Sequence, residues 1–195
     1  MKIGILGGGQ LARMLALAGY PLGLEFIVLD PSADAGATPL SEHLQGAYDD
    51  EFLLAQLAEK ADVVTYEFEN VPAHVADFLS HHTKVYPKAN ALAVAQDRLL
   101  EKTFFHHIDI PTAQFAPIDS LADLQRVMPE ITYPAILKSR RMGYDGKGQV
   151  ILNSENDLAD AWKTIEGVPS IVEGFVAFTR EVSIIAARRP GGEIL

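Results

Sequence analysis

The N-terminal part of this chain alternates short aliphatic runs with stretches of helical period, and that alternation restricts the fold more than any other feature. Residues 2–6 (Lys-Ile-Gly-Ile-Leu) form a β-type run, Gly7, Gly8 and Gly9 a turn, and residues 10–18 set Leu11, Met14, Leu15 and Ala18 on one side of a helix. A second buried-type strand is expected over residues 25–29, ending at Asp30-Pro31, then a helix over 50–59 and a third strand over 62–67. Strands alternating with helices imply a mostly parallel sheet covered on its faces. A helix over 73–80, a strand over 83–86 and one or two helices over 90–107 complete a first domain, expected to close near residue 95.

From Pro111 the pattern changes. Strands around residues 112–116, 135–139 and 149–152 alternate with helices at 121–128 and 156–165, which predicts a small α+β domain. Residues 170–173 and 180–188 read as strands, and residues 189–193 as a turn leading into a partner strand. A hairpin arm without its partner leaves backbone groups unpaired, so a piece of a longer protein is expected.

At 195 residues, 48% hydrophobic and 22% charged, the composition suits one large or two small folded domains. A net charge of −10 argues against general affinity for nucleic acid or anionic membrane, while leaving room for a local basic pocket. The chain has no cysteine, which excludes disulfides, thiolate metal sites and a cysteine nucleophile. It opens directly on a strand without signal-peptide character, and no apolar run reaches spanning length, so a cytoplasmic protein is expected. The adjacent pairs His81-His82 and His106-His107 have no zinc-site spacing, and no Gly-x-Ser-x-Gly element occurs.

Several stretches could carry chemistry. Gly7 to Ala12 fits G-x-G-x-x-A between strand and helix, with Asp30 about twenty residues on. A nicotinamide dinucleotide, another phosphorylated ligand and simple tight packing all fit it, because free N–H groups and the helix dipole favour any anion. Glu67 and Glu69, at alternate positions at the C-terminal end of the third strand, lie where open α/β sheets keep their ligand crevice; a solvated loop end is the ordinary reading of such a pair. Arg98 and Lys102 share a helical face, which also describes an ordinary surface helix with Asp97 and Glu101 as local ion-pair partners. Lys138 ends a β run that leads into Gly143-Tyr144-Asp145-Gly146-Lys147-Gly148-Gln149. Three glycines in six residues leave amides free to turn toward a polyphosphate, yet the spacing is not that of a P-loop. Arg140 and Arg141 read as solvent charges. Residues 171–176 followed by Arg180-Glu181-Val182-Ser183 offer apolar walls and a carboxylate suited to adenine and ribose, or simply two structural strands.

In this order and spacing the motifs resemble the ATP-grasp superfamily, and within it the N5-carboxyaminoimidazole ribonucleotide synthetases. The residues carrying the likeness are 7–14, 65–72, 96–98, 138–149, 172–173 and 180–183. The resemblance implies an α/β fold: a Rossmann-like preATP-grasp domain with a parallel sheet (1–95), a helical linker (96–111), a small α+β ATP-grasp lid (112–172) and the start of a large ATP-grasp lobe (173–195). It implies carboxylation of aminoimidazole ribonucleotide by ATP and bicarbonate through carboxyphosphate, in a homodimeric enzyme. Arg98, Lys138, Gly143, Tyr144, Asp145, Gly146, Lys147 and Gly148 would hold ATP phosphates, Tyr144 and Lys147 acting at the reacting end. Glu173, Gly174, Phe175 and Val176 would contact adenine through backbone groups, and Glu181 the ribose. Gly9, Gln10, Leu11, Asp30 and Glu67 would meet the ribonucleotide. Magnesium is expected as cofactor with ligands beyond residue 195, so this length alone is expected to be inactive. A glycinamide ribonucleotide transformylase of the same superfamily and a non-catalytic nucleotide-binding module are the competing readings.

Overall fold

The computed structural model describes residues 1–143, 147–189 and 191–194. Four strands, β1 (Lys2–Leu6), β2 (Glu25–Asp30), β3 (Glu42–Gln45) and β4 (Val63–Tyr66), form an all-parallel sheet in the order β3-β2-β1-β4. Helix α1 (Gln10–Gly19) covers one face and α2 (Glu51–Lys60) the other. Because side chains alternate along a strand, Ile5, Phe26 and Val28 pack with Ala12 and Ala16 of α1, while Leu6, Ile27 and Leu29 join Leu54 and Leu57 of α2. Both faces being dry, the strands read as continuous apolar runs. Helix α1 buries its small residues, whereas Leu11, Met14 and Leu15, the large side seen in the sequence, are exposed. Helix α3 (Ala73–Ser80) packs Val75 and Leu79 into the α2 side of the core. The strand expected over 83–86 contracts to a single parallel bridge between Val64 and Val85.

Helices α4 (Ala89–Ala95) and α5 (Arg98–His107) lead to a second sheet. There β5 (Phe115–Ile118), β6 (Ala135–Ser139), β7 (Gln149–Leu152) and β8 (Ser170–Gly174) pair antiparallel in the order β5-β8-β6-β7. Helices α6 (Leu121–Ile131) and α7 (Leu158–Thr164) close one face over Ala135, Leu137, Leu152 and Val172. The opposite face, carrying Phe115, Lys138 and Glu173, is turned to α5. The strand expected over 180–188 is not formed. Val182, Ile184 and Ile185 stand exposed, and beyond β8 only an isolated bridge joins Arg188 to Ile194 among the described residues. Alternating apolar residues make a strand only where a neighbour accepts the backbone ladder.

Candidate active site

The face of the second sheet that its helices leave open gathers the strongest predicted residues. Registry sets Glu173 of β8 opposite both Phe115 of β5 and Ile136 of β6, so all three project to one side, with Lys138 two residues along β6. Lys138 Nζ donates to Glu173 Oε2 at 3.0 Å, and Lys102 reaches the same oxygen from α5 at 3.3 Å. The Glu173 side chain is only 8% exposed, so a carboxylate that would be costly to bury alone is held by two ammonium groups.

The start of the glycine-rich segment is tied to α5, the helix that also carries Lys102. Arg98 Nη2 donates to the Gly143 carbonyl at 3.2 Å, and its buried Nε has no partner among the described residues. Gly148 has φ +67°, and a Cβ there would lie 2.5 Å from Ser139 Oγ, so only glycine fits where the segment returns to β7. Ser139 N donates to the Gly148 carbonyl at 2.8 Å, fixing both ends of the turn beside Lys138. Tyr144, Asp145 and Gly146 lie outside the described residues.

The start of α5 is not an ordinary surface helix. Asp97 is buried at 3% exposure; its carboxylate caps the helix by accepting from Leu99 N at 3.0 Å, and accepts Arg140 Nε at 3.0 Å and Nη2 at 2.7 Å. Arg140 is therefore not a solvent charge: its guanidinium forks onto Asp97, while Arg141 Nε approaches at 3.4 Å. Burial alone would raise the Asp97 carboxyl, but the Arg140 guanidinium and the cap amides hold it below the usual carboxylate range. Arg98 N donates to the Arg140 carbonyl at 2.9 Å, locking helix to strand end. One residue earlier, buried Gln96 donates through Nε2 to the carbonyls of Glu69 (2.6 Å) and Val71, pinning the loop after β4.

The first glycine turn is built differently. Gly8 N donates to Asp30 Oδ2 at 2.8 Å, and Gly9 N to Glu67 Oε2. A Cβ on Gly9 would lie 2.4 Å from Glu67 Oε1, so the carboxylate occupies the space a side chain would need. Two amides that a pyrophosphate would use are thus already held by carboxylates of the same chain. Asp30 also accepts Ser32 N at 2.8 Å and the Tyr48 hydroxyl at 3.0 Å, which makes it a tie between turn, strand end and loop. Gln10 and Leu11 remain exposed at the start of α1, beside the partly buried Glu67. Glu69 does not share that side: β4 ends at Tyr66, the chain turns, and Glu69 is exposed. Burial pushes the Tyr66 hydroxyl up to about 12, and it donates to the Pro87 carbonyl at 3.1 Å.

The remaining predicted residues are less gathered. Gly174 N and Phe175 N donate to the carbonyls of Gln114 (2.9 Å) and Pro134 (3.3 Å), while Phe175 and Val176 are roughly half exposed. Glu181 lies exposed in the irregular segment that follows, without an ion pair to another described residue. The sequence offers Lys102 only as a helical-face neighbour of Arg98 and gives no site role to Gln96, Asp97 or Arg140, although an aspartate one residue before a helical run is a legible cap signal. The arrangement can hold an anion against Lys138, Arg98 and the glycine segment, and a second polar ligand against α1 and Glu67. Among the described residues no group of three or more His, Asp or Glu side chains is gathered to hold a metal ion.

Comparison with known proteins matches two family models, a ribonucleotide synthetase preATP-grasp domain over residues 1–96 and an ATP-grasp domain over residues 103–195. The chain is 51% identical over 193 residues to the N5-carboxyaminoimidazole ribonucleotide synthase of Pseudomonas aeruginosa, covering 99% of this chain and 54% of that protein. Among solved structures, the Staphylococcus aureus N5-carboxyaminoimidazole synthetase complexed with ADP superposes with TM-score 0.94 at 37% identity, over 99% of this chain and 52% of that one. The Aspergillus clavatus enzyme in complex with ADP and 5-aminoimidazole ribonucleotide superposes with TM-score 0.82 at 29% identity, over 91% of this chain and 47% of that one. The chain thus spans about half the length of the curated relatives it matches.

Proposed function

Since this chain belongs to the N5-carboxyaminoimidazole ribonucleotide synthase family of ATP-grasp ligases, we propose that its protein carboxylates 5-aminoimidazole ribonucleotide with bicarbonate at the expense of ATP. The γ-phosphoryl group passes to a bicarbonate oxygen, giving carboxyphosphate and ADP. The exocyclic amine then attacks the carboxyl carbon, phosphate leaves, and the amine loses a proton. The observation that carries this reading is the convergence of Lys138, Arg98 and the ends of the glycine segment on one face beside β8.

In this proposal Lys138, Arg98 and the amides of residues 143–148 hold the ATP phosphates, offsetting charge that develops during transfer. Lys147 and Tyr144 act where carboxyphosphate forms, and the segment keeps water from that labile intermediate. The end of β8 and the residues that follow it, Glu173 to Val176, take adenine, and Glu181 the ribose. Gly9, Gln10, Leu11 and Glu67 receive the ribonucleotide, with Asp30 shaping the turn beneath it. The engagement of the Gly8 and Gly9 amides by Asp30 and Glu67 favours this over a nicotinamide dinucleotide at the first turn. Magnesium supplies charge neutralisation when ATP-grasp enzymes bind nucleotide, but the described residues do not form its site, and no step is assigned to it. We assign the domains as residues 1–95, 96–111, 112–172 and 173–195, and the protein to the cytoplasm as a homodimer. No helix among the described residues is long and apolar enough to cross a membrane.

Calorimetric titration of the chain with ATP and with NADH tests the site: ATP should bind and NADH should not. ADP release that requires both bicarbonate and aminoimidazole ribonucleotide is the catalytic readout, measured on a protein of the relatives' full length. Tight NADH binding without ATP binding would reverse the assignment.

A further inference from the structure

Glu173 presents one oxygen to two lysines. Lys138 Nζ lies 3.0 Å and Lys102 Nζ 3.3 Å from Glu173 Oε2, and all three side chains are largely buried, at 21%, 15% and 8% exposure. One carboxylate can neutralise only one ammonium, so the trio carries a surplus positive charge in a partly desolvated place where charge is felt strongly. The two lysines are not equivalent. Lys102 sits one helical turn beyond Arg98 on α5, and its ammonium lies 5.7 Å from the centroid of the Phe115 ring, which holds it on the side away from β6. Lys138 comes from β6, five residues before Gly143, and is the more exposed of the two.

We infer that Lys102 is a positioning residue for the nucleotide: it neutralises Glu173 and thereby leaves the Lys138 ammonium available to a phosphate group. This rests on the nucleotide reading given above. Without Lys102, Glu173 is a buried carboxylate whose one close cation among the described residues is Lys138, and the pair closes on itself because separating it would strand a charge. Lys138, already 3.0 Å from Glu173 Oε2, then has no second ammonium sharing that carboxylate, and a phosphate has to compete with its full charge.

The test is calorimetric titration of the 195-residue chain with ADP, comparing wild type, Lys102→Met, Lys102→Arg and the double variant Lys102→Met with Glu173→Gln. Losing one charge-assisted contact should weaken ADP binding about tenfold in Lys102→Met. Lys102→Arg keeps the cation and should stay within about threefold of wild type. The double variant should recover most of the loss, since a neutral amide no longer holds Lys138; damage to packing alone would not be repaired by a second substitution. Lys102→Met binding as tightly as wild type, or a double variant as weak as Lys102→Met, overturns the assignment while leaving the nucleotide reading intact. If Lys102→Met does not fold, Lys102→Arg carries the test, and a loss beyond about threefold overturns it. A wild-type chain that fails to bind ADP overturns both readings.

Discussion

Replacing Asp97 by alanine should be among the most damaging single changes in the segment that joins the two sheets. The carboxylate performs two tasks there: it caps α5 through Leu99 N and Leu100 N, and it accepts both Nε and Nη2 of Arg140. Loss of a cap costs about 1 kcal/mol. Removing one partner of a buried ion pair costs about 3–5 kcal/mol, mostly because the other charge is stranded. The Arg140 side chain is 24% exposed and can partly rehydrate, so a total of about 2–4 kcal/mol is expected rather than the sum. For a chain of this size that lowers the melting temperature by about 4–16 °C. Urea unfolding followed by circular dichroism gives the overall loss. Trp162, the one tryptophan of the chain, lies in α7 and reports on the second sheet separately by fluorescence. Asp97→Asn, which keeps a capping oxygen but no charge, should fall between alanine and wild type. A loss below about 0.5 kcal/mol for Asp97→Ala would match a solvated surface helix and refute the reasoning.

The same residue sets an acid limit. Its folded pKa lies below the usual carboxylate value, so its contribution is complete above the unfolded pKa near about 4 and is lost as pH falls further through the folded value. The urea midpoint of wild type should therefore fall more steeply below about pH 4 than that of Asp97→Asn, and parallel curves would contradict this. Gly148→Ala forces alanine to φ +67° with its Cβ 2.5 Å from Ser139 Oγ. A cost of about 1–2 kcal/mol in thermal unfolding and a clear drop in ADP affinity are expected, and a variant neutral in both would show that the turn is not held as described. Gly9→Ala drives a methyl group against Glu67 and should displace that carboxylate from the Gly9 amide. Aminoimidazole ribonucleotide binding by calorimetry should weaken while ADP binding is unchanged; equal loss of both would argue against two separate ligand positions.

Much of the first sheet was legible because parallel strands buried on both faces are continuous apolar runs, and residues 2–6 and 25–30 are such runs. Strand β3 was not, since Glu42-His43-Leu44-Gln45 buries Leu44 alone and lies at the sheet edge. Residues 180–188 carry the β-favouring Val182, Ile184 and Ile185 but, among the described residues, pair only through the single bridge at Arg188, and local pattern cannot supply a neighbour. The residues proposed to face phosphate were visible as motifs, whereas what holds them was not. Asp97 and Arg140 are 43 positions apart, and Glu173 meets Lys102 from another element, so only the fold makes these pairs evident. For the first glycine turn the sequence leaves anion binding by free amides and simple tight packing both open. Two of those amides are taken by carboxylates that the sequence places 22 and 58 positions away.

A crystal structure of this chain with ADP tests the central claim most directly, because the chain offers two glycine-rich turns and only one is assigned to the nucleotide. The account predicts phosphates against Lys138, Arg98 and the segment ending at Gly148, with adenine at the end of β8 beside Glu173 to Val176. ADP seated instead on the Gly7–Gly9 turn, with Asp30 and Glu67 moved off the Gly8 and Gly9 amides, would contradict it.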